Sequence, residues 1–202
     1  MGRGETLSQS VREADVRDLA QLSATLADAF AADPVLQWLA PSERSDRRLR
    51  RLLEIELADY VFPAGRVLTI GDFRGASLEL PPGRWQMTVS LSGAIGLVRA
   101  LGPRLSRARR LQRVFEDSHL EEPHYYVRYL GVARRFQGRG LGAALLRPTL
   151  DRCDSEGVPA YLQASTERSA AFYERLGFVH LGELRVPDGP RFWPMRRPPP
   201  AA

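Results

Sequence analysis

The 202-residue chain contains no lysine and no asparagine, one cysteine and only three isoleucines, so all 29 of its basic residues are arginines. Without lysine there is no phosphate-binding Walker lysine, no pyridoxal Schiff base and no Ser-Lys dyad. Without asparagine there is no N-glycosylation acceptor. The avoidance of AT-rich codons points to a GC-rich bacterial genome. The lone Cys153 excludes an internal disulfide framework. One cysteine with three scattered histidines also argues against a structural zinc site, so no metal is expected. Met1 to Val11 is polar and lacks the apolar centre of a signal peptide. No run reaches the roughly 18 apolar residues of a membrane span. The expectation is a soluble, cytoplasmic protein without a membrane partner.

What is present is ordinary for a globular domain. Hydrophobic residues make up 44% of the chain and charged residues 26%, over a length that suits one domain with a substantial core. The net charge of +5 fits nucleic acid, but it equally fits anionic small molecules such as phosphorylated cofactors. No groove-reading or aromatic nucleic-acid motif accompanies the charge, which ranks that partner lowest.

Leu7 to Glu13 reads as a short first strand. Asp15 to Ala31 reads as a helix, with Leu19, Leu22, Leu26 and Phe30 at helical spacing and Asp33-Pro34 ending the run. A second helix is predicted from Ser42 or Glu43 to about Tyr60. Arg66 to Ile70 and Ala76 to Leu80 make a hairpin across Gly71 to Gly75. Thr88 to Leu101 and Pro103 to about His119 are further helices. In the latter, Arg104, Arg107, Arg109, Arg110 and Arg113 read as a solvated face, with Leu105, Leu111, Val114 and Phe115 turned inward. A strand follows over Tyr125 to Val132, then a helix to about Ser155 that Pro148 bends. Tyr161 to Ala164 is a strand and Thr166 to Leu176 a helix, with Gly177 past its end. Phe178 to Leu184 and Phe192 to Met195 are closing strands, and Pro198 to Ala202 a disordered, frayed tail. No repeat or linker interrupts the chain, which predicts one mixed α/β domain.

Chemistry concentrates in Leu130-Gly131-Val132-Ala133-Arg134-Arg135-Phe136-Gln137-Gly138-Arg139-Gly140-Leu141-Gly142. A strand runs into a loop of three glycines from which a helix starts. Glycines let successive backbone N–H groups converge, and the helix N-terminus adds partial positive charge, an arrangement that binds phosphate. The glycines lack the dinucleotide G-x-G-x-x-G spacing, and no acidic residue follows where a ribose would want one. Gln137-x-x-Gly140-x-Gly142 instead matches [QR]-x-x-G-x-[GA], the pattern that grips the pyrophosphate of coenzyme A.

With the strand ending Leu130-Gly131-Val132, the strand Ala160 to Ala164 and the segment Ala171-Phe172-Tyr173-Glu174-Arg175-Leu176-Gly177-Phe178, the chain resembles the GNAT superfamily of acetyl-CoA-dependent N-acetyltransferases. The resemblance covers roughly Glu122 to the C-terminus, with about residues 121–197 as the acetyl-CoA-binding half. Within the superfamily the chain is most similar to puromycin N-acetyltransferase and its relatives, on Gly157-Val158-Pro159-Ala160, Phe172 to Phe178 and Val186-Pro187-Asp188-Gly189-Pro190-Arg191. About residues 1–120 match only in layout, and that half shapes the acceptor pocket.

The resemblance implies a single α+β domain with a mixed central sheet flanked by helices and strands that splay around a pyrophosphate-binding strand-loop-helix. It implies acetyl-CoA as cosubstrate. Leu130 and Val132 would hold its pantetheine arm through their backbone, an N–H near Val132 would polarise the acetyl carbonyl, and Gln137, Gly138, Arg139, Gly140, Leu141 and Gly142 would cradle the pyrophosphate. Phe172 and Ser169 would touch the coenzyme from the last helix, Ser169 standing where the family often has Asn. Tyr173 occupies the general-acid position. Where many relatives place a glutamate base on the strand, Tyr126 stands here, which is no base at neutral pH. His124, Glu122, Glu121 and Glu116 are nearby alternatives. His124 has the most convenient ordinary pKa, and deprotonation through ordered water is equally open. Phe30, Trp38, Tyr60 and Trp85 are aromatics that either line the acceptor pocket or fill the core, and Cys153 reads as core.

The implied activity is acetyl transfer to a primary amine of a small molecule, antibiotic-like or a metabolite. Two alternatives stand beside it: a protein or peptide N-acetyltransferase, and a coenzyme-binding regulatory module without catalysis. A homodimer is common in the superfamily.

Overall fold

The computed structural model describes residues 10–40, 45–86 and 90–200. In chain order these are β1 (Val11–Glu13), α1 (Leu19–Ala29), α2 (Pro34–Leu39), α3 (Ser45–Ile55), α4 (Phe62–Ala64), β2 (Arg66–Ile70), β3 (Gly75–Leu80), α5 (Leu91–Leu101), α6 (Leu105–Asp117), β4 (Tyr125–Val132), α7 (Leu141–Glu156), β5 (Ala160–Ala164), α8 (Glu167–Glu174), β6 (Val179–His180), β7 (Leu184–Arg185) and β8 (Arg191–Arg197). The sheet order is β1-β2-β3-β4-β5-β8-β6, with β7 also on β8. All pairings are antiparallel except β4 with β5.

Strand alternation sends side chains to both faces of the sheet. Val67, Leu78, Tyr126 and Tyr161 pack with α1, α2 and α3. Tyr125, Val127 and Leu162 pack with Leu146, Leu150 and Cys153 of α7, and with α8. Helices therefore cover both faces, and central β3 is buried at every position. Gly131 on β4 allows α1 its close approach, since a Cβ there would lie 2.9 Å from Phe30 and 3.0 Å from Ala29.

Several expectations shift. The first strand begins at Val11, residues 1–9 lying outside the described part, as do Ser42, Glu43 and Thr88. Helix α1 stops at Ala29, short of Asp33-Pro34 as expected, but that pair also starts a new helix. The Asp33 carboxylate accepts hydrogen bonds from the amides of Val35 and Leu36 at 3.0 Å, with Pro34 in the first turn of α2. Past Ile55 the chain stays helical to Ala64, through a π-helical stretch over Glu56–Val61. Helix α7 carries Pro148 in its interior and extends one residue past the expected end, to Glu156. The predicted strand over Phe178 to Leu184 splits in two, with Gly182 at φ +134° between the pieces. Residues 198–200 are irregular, and 201–202 lie outside the described part.

Candidate active site

Strands β4 and β5 are registered only at Tyr125↔Ala160 and Tyr126↔Tyr161. Beyond Tyr126 they part, and between them opens a cavity of about 460 Å³, walled by Val127 to Leu130 on one side and Leu162 to Ser165 on the other. The β4 edge facing β5 is thus without a strand partner from Val127 to Val132, which leaves a row of backbone donors and acceptors available.

At the far end of β4 the glycine loop carries the chain into α7. Gly138 and Gly140 adopt φ of +74° and +79°, which suit glycine. Gly140 is the N-cap of α7 and offers no side-chain cap. The first-turn amides of Leu141, Gly142 and Ala143 therefore point outward with the positive end of the helix dipole. Gln137 donates from Nε2 to the Val132 carbonyl at 3.0 Å and so ties the loop to the strand end. Arg135, Arg139 and Arg74 stack on Phe136 with centroid distances of 4.6, 5.8 and 5.0 Å, gathering positive charge beside the loop. Arg134 is committed elsewhere, paired to Asp28 at 2.9 Å. An open strand edge leading to uncapped amides fits an extended arm ending in a pyrophosphate, the shape of acetyl-CoA.

Tyr173 lines the cavity from α8. Its side chain is buried, and its hydroxyl makes no hydrogen bond to any described residue. Burial, and then the Asp33 carboxylate, push its pKa up, so the hydroxyl holds its proton. Ser169 also lines the cavity, but its hydroxyl donates to the Thr166 carbonyl at 2.8 Å and accepts from the Thr166 amide at 3.1 Å, capping α8. Phe172 is not on the cavity wall. It packs against the start of α7, where a Cβ on Gly142 would meet its ring at 3.3 Å.

The structure does not bring His124 to the cavity. The ring is buried, with Nδ1 2.7 Å from the Glu122 carbonyl and Nε2 3.0 Å from Nε2 of His119. Burial pushes its pKa down. Glu122 pairs with Arg196 at 2.5 Å, and neither it nor Glu121 nor Glu116 lines the cavity. Of the four aromatics, Phe30 lines it. Trp38 instead donates to the Asp188 carbonyl, Trp85 stacks on His119 at 3.8 Å, and Tyr60 donates to the Trp85 carbonyl. Cys153 is buried and its thiol is pushed up to about 12 by burial.

Three charged residues of the cavity wall escaped the sequence reading. Asp33 accepts a hydrogen bond from the Ser165 hydroxyl, and burial pushes its pKa above the usual carboxylate range. Glu56 and Arg128 form a two-pronged ion pair, Nη2–Oε1 at 3.0 Å and Nε–Oε2 at 3.1 Å. Both owe their position to an irregularity. Glu56 opens the π-helical stretch. Arg128 is the extra residue of a β-bulge, where Leu78↔Tyr129 is followed by Glu79↔Val127. Tyr126 beside them donates to Gln163 Oε1 at 2.7 Å. A charged residue within the apolar run Tyr125 to Leu130 was the available signal for Arg128. Among the described residues no cluster of metal-ligating side chains occurs.

Residues 88–178 match the model of the acetyltransferase (GNAT) family. An uncharacterised N-acetyltransferase of Schizosaccharomyces pombe is 30% identical over 191 residues, covering 85% of this chain and 74% of that protein. A structure of histone acetyltransferase HPA2 and related acetyltransferase from Corynebacterium glutamicum superposes with a TM-score of 0.71 at 25% identity, over 96% of this chain and 98% of the other. Drosophila melanogaster polyamine N-acetyltransferase has the same fold, with a TM-score of 0.65 at 19% identity over 94% and 99% of the two chains.

Proposed function

The chain belongs to the GNAT family of N-acetyltransferases, and on that premise we propose that it transfers the acetyl group of acetyl-CoA to a primary amine of a small molecule, a metabolite or an antibiotic-like compound. The observation that carries this reading is a cavity lined by Tyr173 and by the unpartnered β4 edge as far as Leu130, from which β4 runs on to an uncapped helix N-terminus. The family's substrate supplies a thioester, hence an acetyl group and a thiolate leaving group.

The β4 edge at Leu130 and Val132 aligns the pantetheine arm, and an N–H near Val132 polarises the acetyl carbonyl. The loop from Gln137 to Gly142 holds the pyrophosphate. Asp33 receives the acceptor's ammonium and takes its proton, because its raised pKa and position on the wall suit a base better than the enclosed His124. The neutral amine forms the new N–C bond as the C–S bond breaks, Tyr173 gives its proton to the departing sulfur, and the proton that the nitrogen sheds on becoming an amide restores the Tyr173 hydroxyl. Small-molecule acceptors are supported by the size of the cavity and its mostly apolar wall. The Drosophila melanogaster polyamine N-acetyltransferase of the same fold acts on small amines by name, in line with this.

Calorimetric titration with acetyl-CoA tests the first step, with Gly140→Trp as the control. Binding that the variant abolishes is the expected result. Release of free thiol on adding an amine tests the second, and Tyr173→Phe is expected to lower kcat by about 10²–10⁴-fold with coenzyme binding retained. Absence of acetyl-CoA binding to the wild type overturns the reading.

A further inference from the structure

We propose that the acceptor is a monoamine on an apolar, preferably aromatic body with a neutral or anionic far end, and that polyamines and lysine-bearing peptides are poor substrates. This rests on the cavity being the acceptor site of an N-acetyltransferase. Its wall carries two carboxylates, Asp33 and Glu56. Glu56 is already neutralised by Arg128, with both side chains no more than 10% exposed. Asp33 has only neutral partners, the amides of Val35 and Leu36 and the Ser165 hydroxyl. One uncompensated negative charge therefore faces the cavity, and it matches one ammonium.

The rest of the wall is unsuited to a second cation. Leu36, Leu39, Leu52, Leu97, Leu101 and Leu105 make a continuous apolar lining. Two edge-to-face ring pairs, Phe30–Tyr129 at 5.6 Å and Phe115–Phe192 at 4.8 Å, have members on the wall against which an aryl group can pack. On α6, Arg109 and Arg113 also border the cavity, one helical turn apart and exposed, with no acidic partner among the described residues. The distal ammonium of a polyamine meets either leucines, at a desolvation cost, or two guanidinium groups, at a like-charge cost. A neutral or anionic tail meets neither penalty.

The test measures thiol release by the purified protein at saturating acetyl-CoA with 2-phenylethylamine, tryptamine, phenylalanine, agmatine, spermidine and a lysine-containing peptide. The expected kcat/KM for the aryl monoamines exceeds that for agmatine and spermidine by about tenfold or more. The exposed double substitution Arg109→Glu with Arg113→Glu is expected to raise agmatine relative to phenylethylamine by about tenfold, with little effect on stability. Equal or better use of agmatine or spermidine by the wild type overturns this proposal and leaves the N-acetyltransferase reading standing. Transfer to none of the amines, with acetyl-CoA bound, overturns that reading instead.

Discussion

Arg128 and Glu56 offer the sharpest test of how the cavity wall is held. The guanidinium and carboxylate are 3.0 Å apart, with side chains 10% and 8% exposed. Removing one member of so enclosed a pair strands the other charge, at about 3–5 kcal/mol. After Glu56→Leu, Arg128 keeps the rings of Tyr60 and Tyr129 within 5.5 and 5.6 Å and the Tyr126 hydroxyl at 3.4 Å. Cation–π contact of about 0.5–1 kcal/mol per ring then softens the loss, so about 3 kcal/mol is expected for this variant. Arg128→Met leaves the carboxylate without its guanidinium and is expected to cost about 4 kcal/mol. For a chain of this size, 3 kcal/mol lowers Tm by roughly 6–12 °C. The double variant replaces both charges with apolar groups and is expected to recover most of the loss. Urea denaturation of the four proteins closes the cycle. Single substitutions within about 1 kcal/mol of wild type, with additive effects, would refute the view that burial makes this pair critical.

Asp33→Asn keeps the cap on α2, because the amide oxygen still accepts from the helix amides, yet removes the proposed base. A fall in kcat/KM of about 10²-fold or more at unchanged Tm is expected; full activity would falsify the role. In the wild type the acidic limb of the kcat/KM profile should lie above the ordinary aspartate range, since burial raises the Asp33 pKa. His119 is pushed down to about 3, by burial first and then by His124 and Arg128, from an ordinary 6.5. Between those values the unfolded chain binds the extra proton, so stability falls as pH is lowered from about 6.5 toward 3. His119→Phe should flatten that slope in pH-dependent thermal melts. Gly131→Ala presses a methyl against Phe30 and Ala29, with an expected loss of about 1–3 kcal/mol in denaturant titrations.

Periodicity and turn residues made the second half legible. β4 ends on its predicted residues, and the glycine loop and α8 stand where Gln137 to Gly142 and Thr166 implied. Those features are local: a run of alternating side chains, positive φ at glycine, a hydroxyl cap. Asp33-Pro34 marks the end of the first helical run as expected, but that the pair also begins α2 was hidden, because only the position of the next apolar stripe shows it. The π-helical stretch and the β-bulge left no periodic trace, since each inserts a single residue into an otherwise regular run. The charged wall of the cavity depends on both, and it joins residues 72 positions apart. That His124 stays off the cavity wall was equally hidden, because adjacency along a strand says nothing of which core a ring enters.

The parting of β4 and β5 after Tyr126 has a thermodynamic side. A sheet normally exposes its edges at its margins, whereas this one has a seam in its centre, held by two residue pairs. In the proposed mode of binding the pantetheine arm is the strand that closes the seam. The cosubstrate then acts as a removable part of the fold, adding about 2.7 kcal/mol of stability at a hundredfold excess over Kd. Between Val127 and Val132, the backbone amides that point away from β3 should exchange with solvent quickly in the free protein and slowly when acetyl-CoA is present.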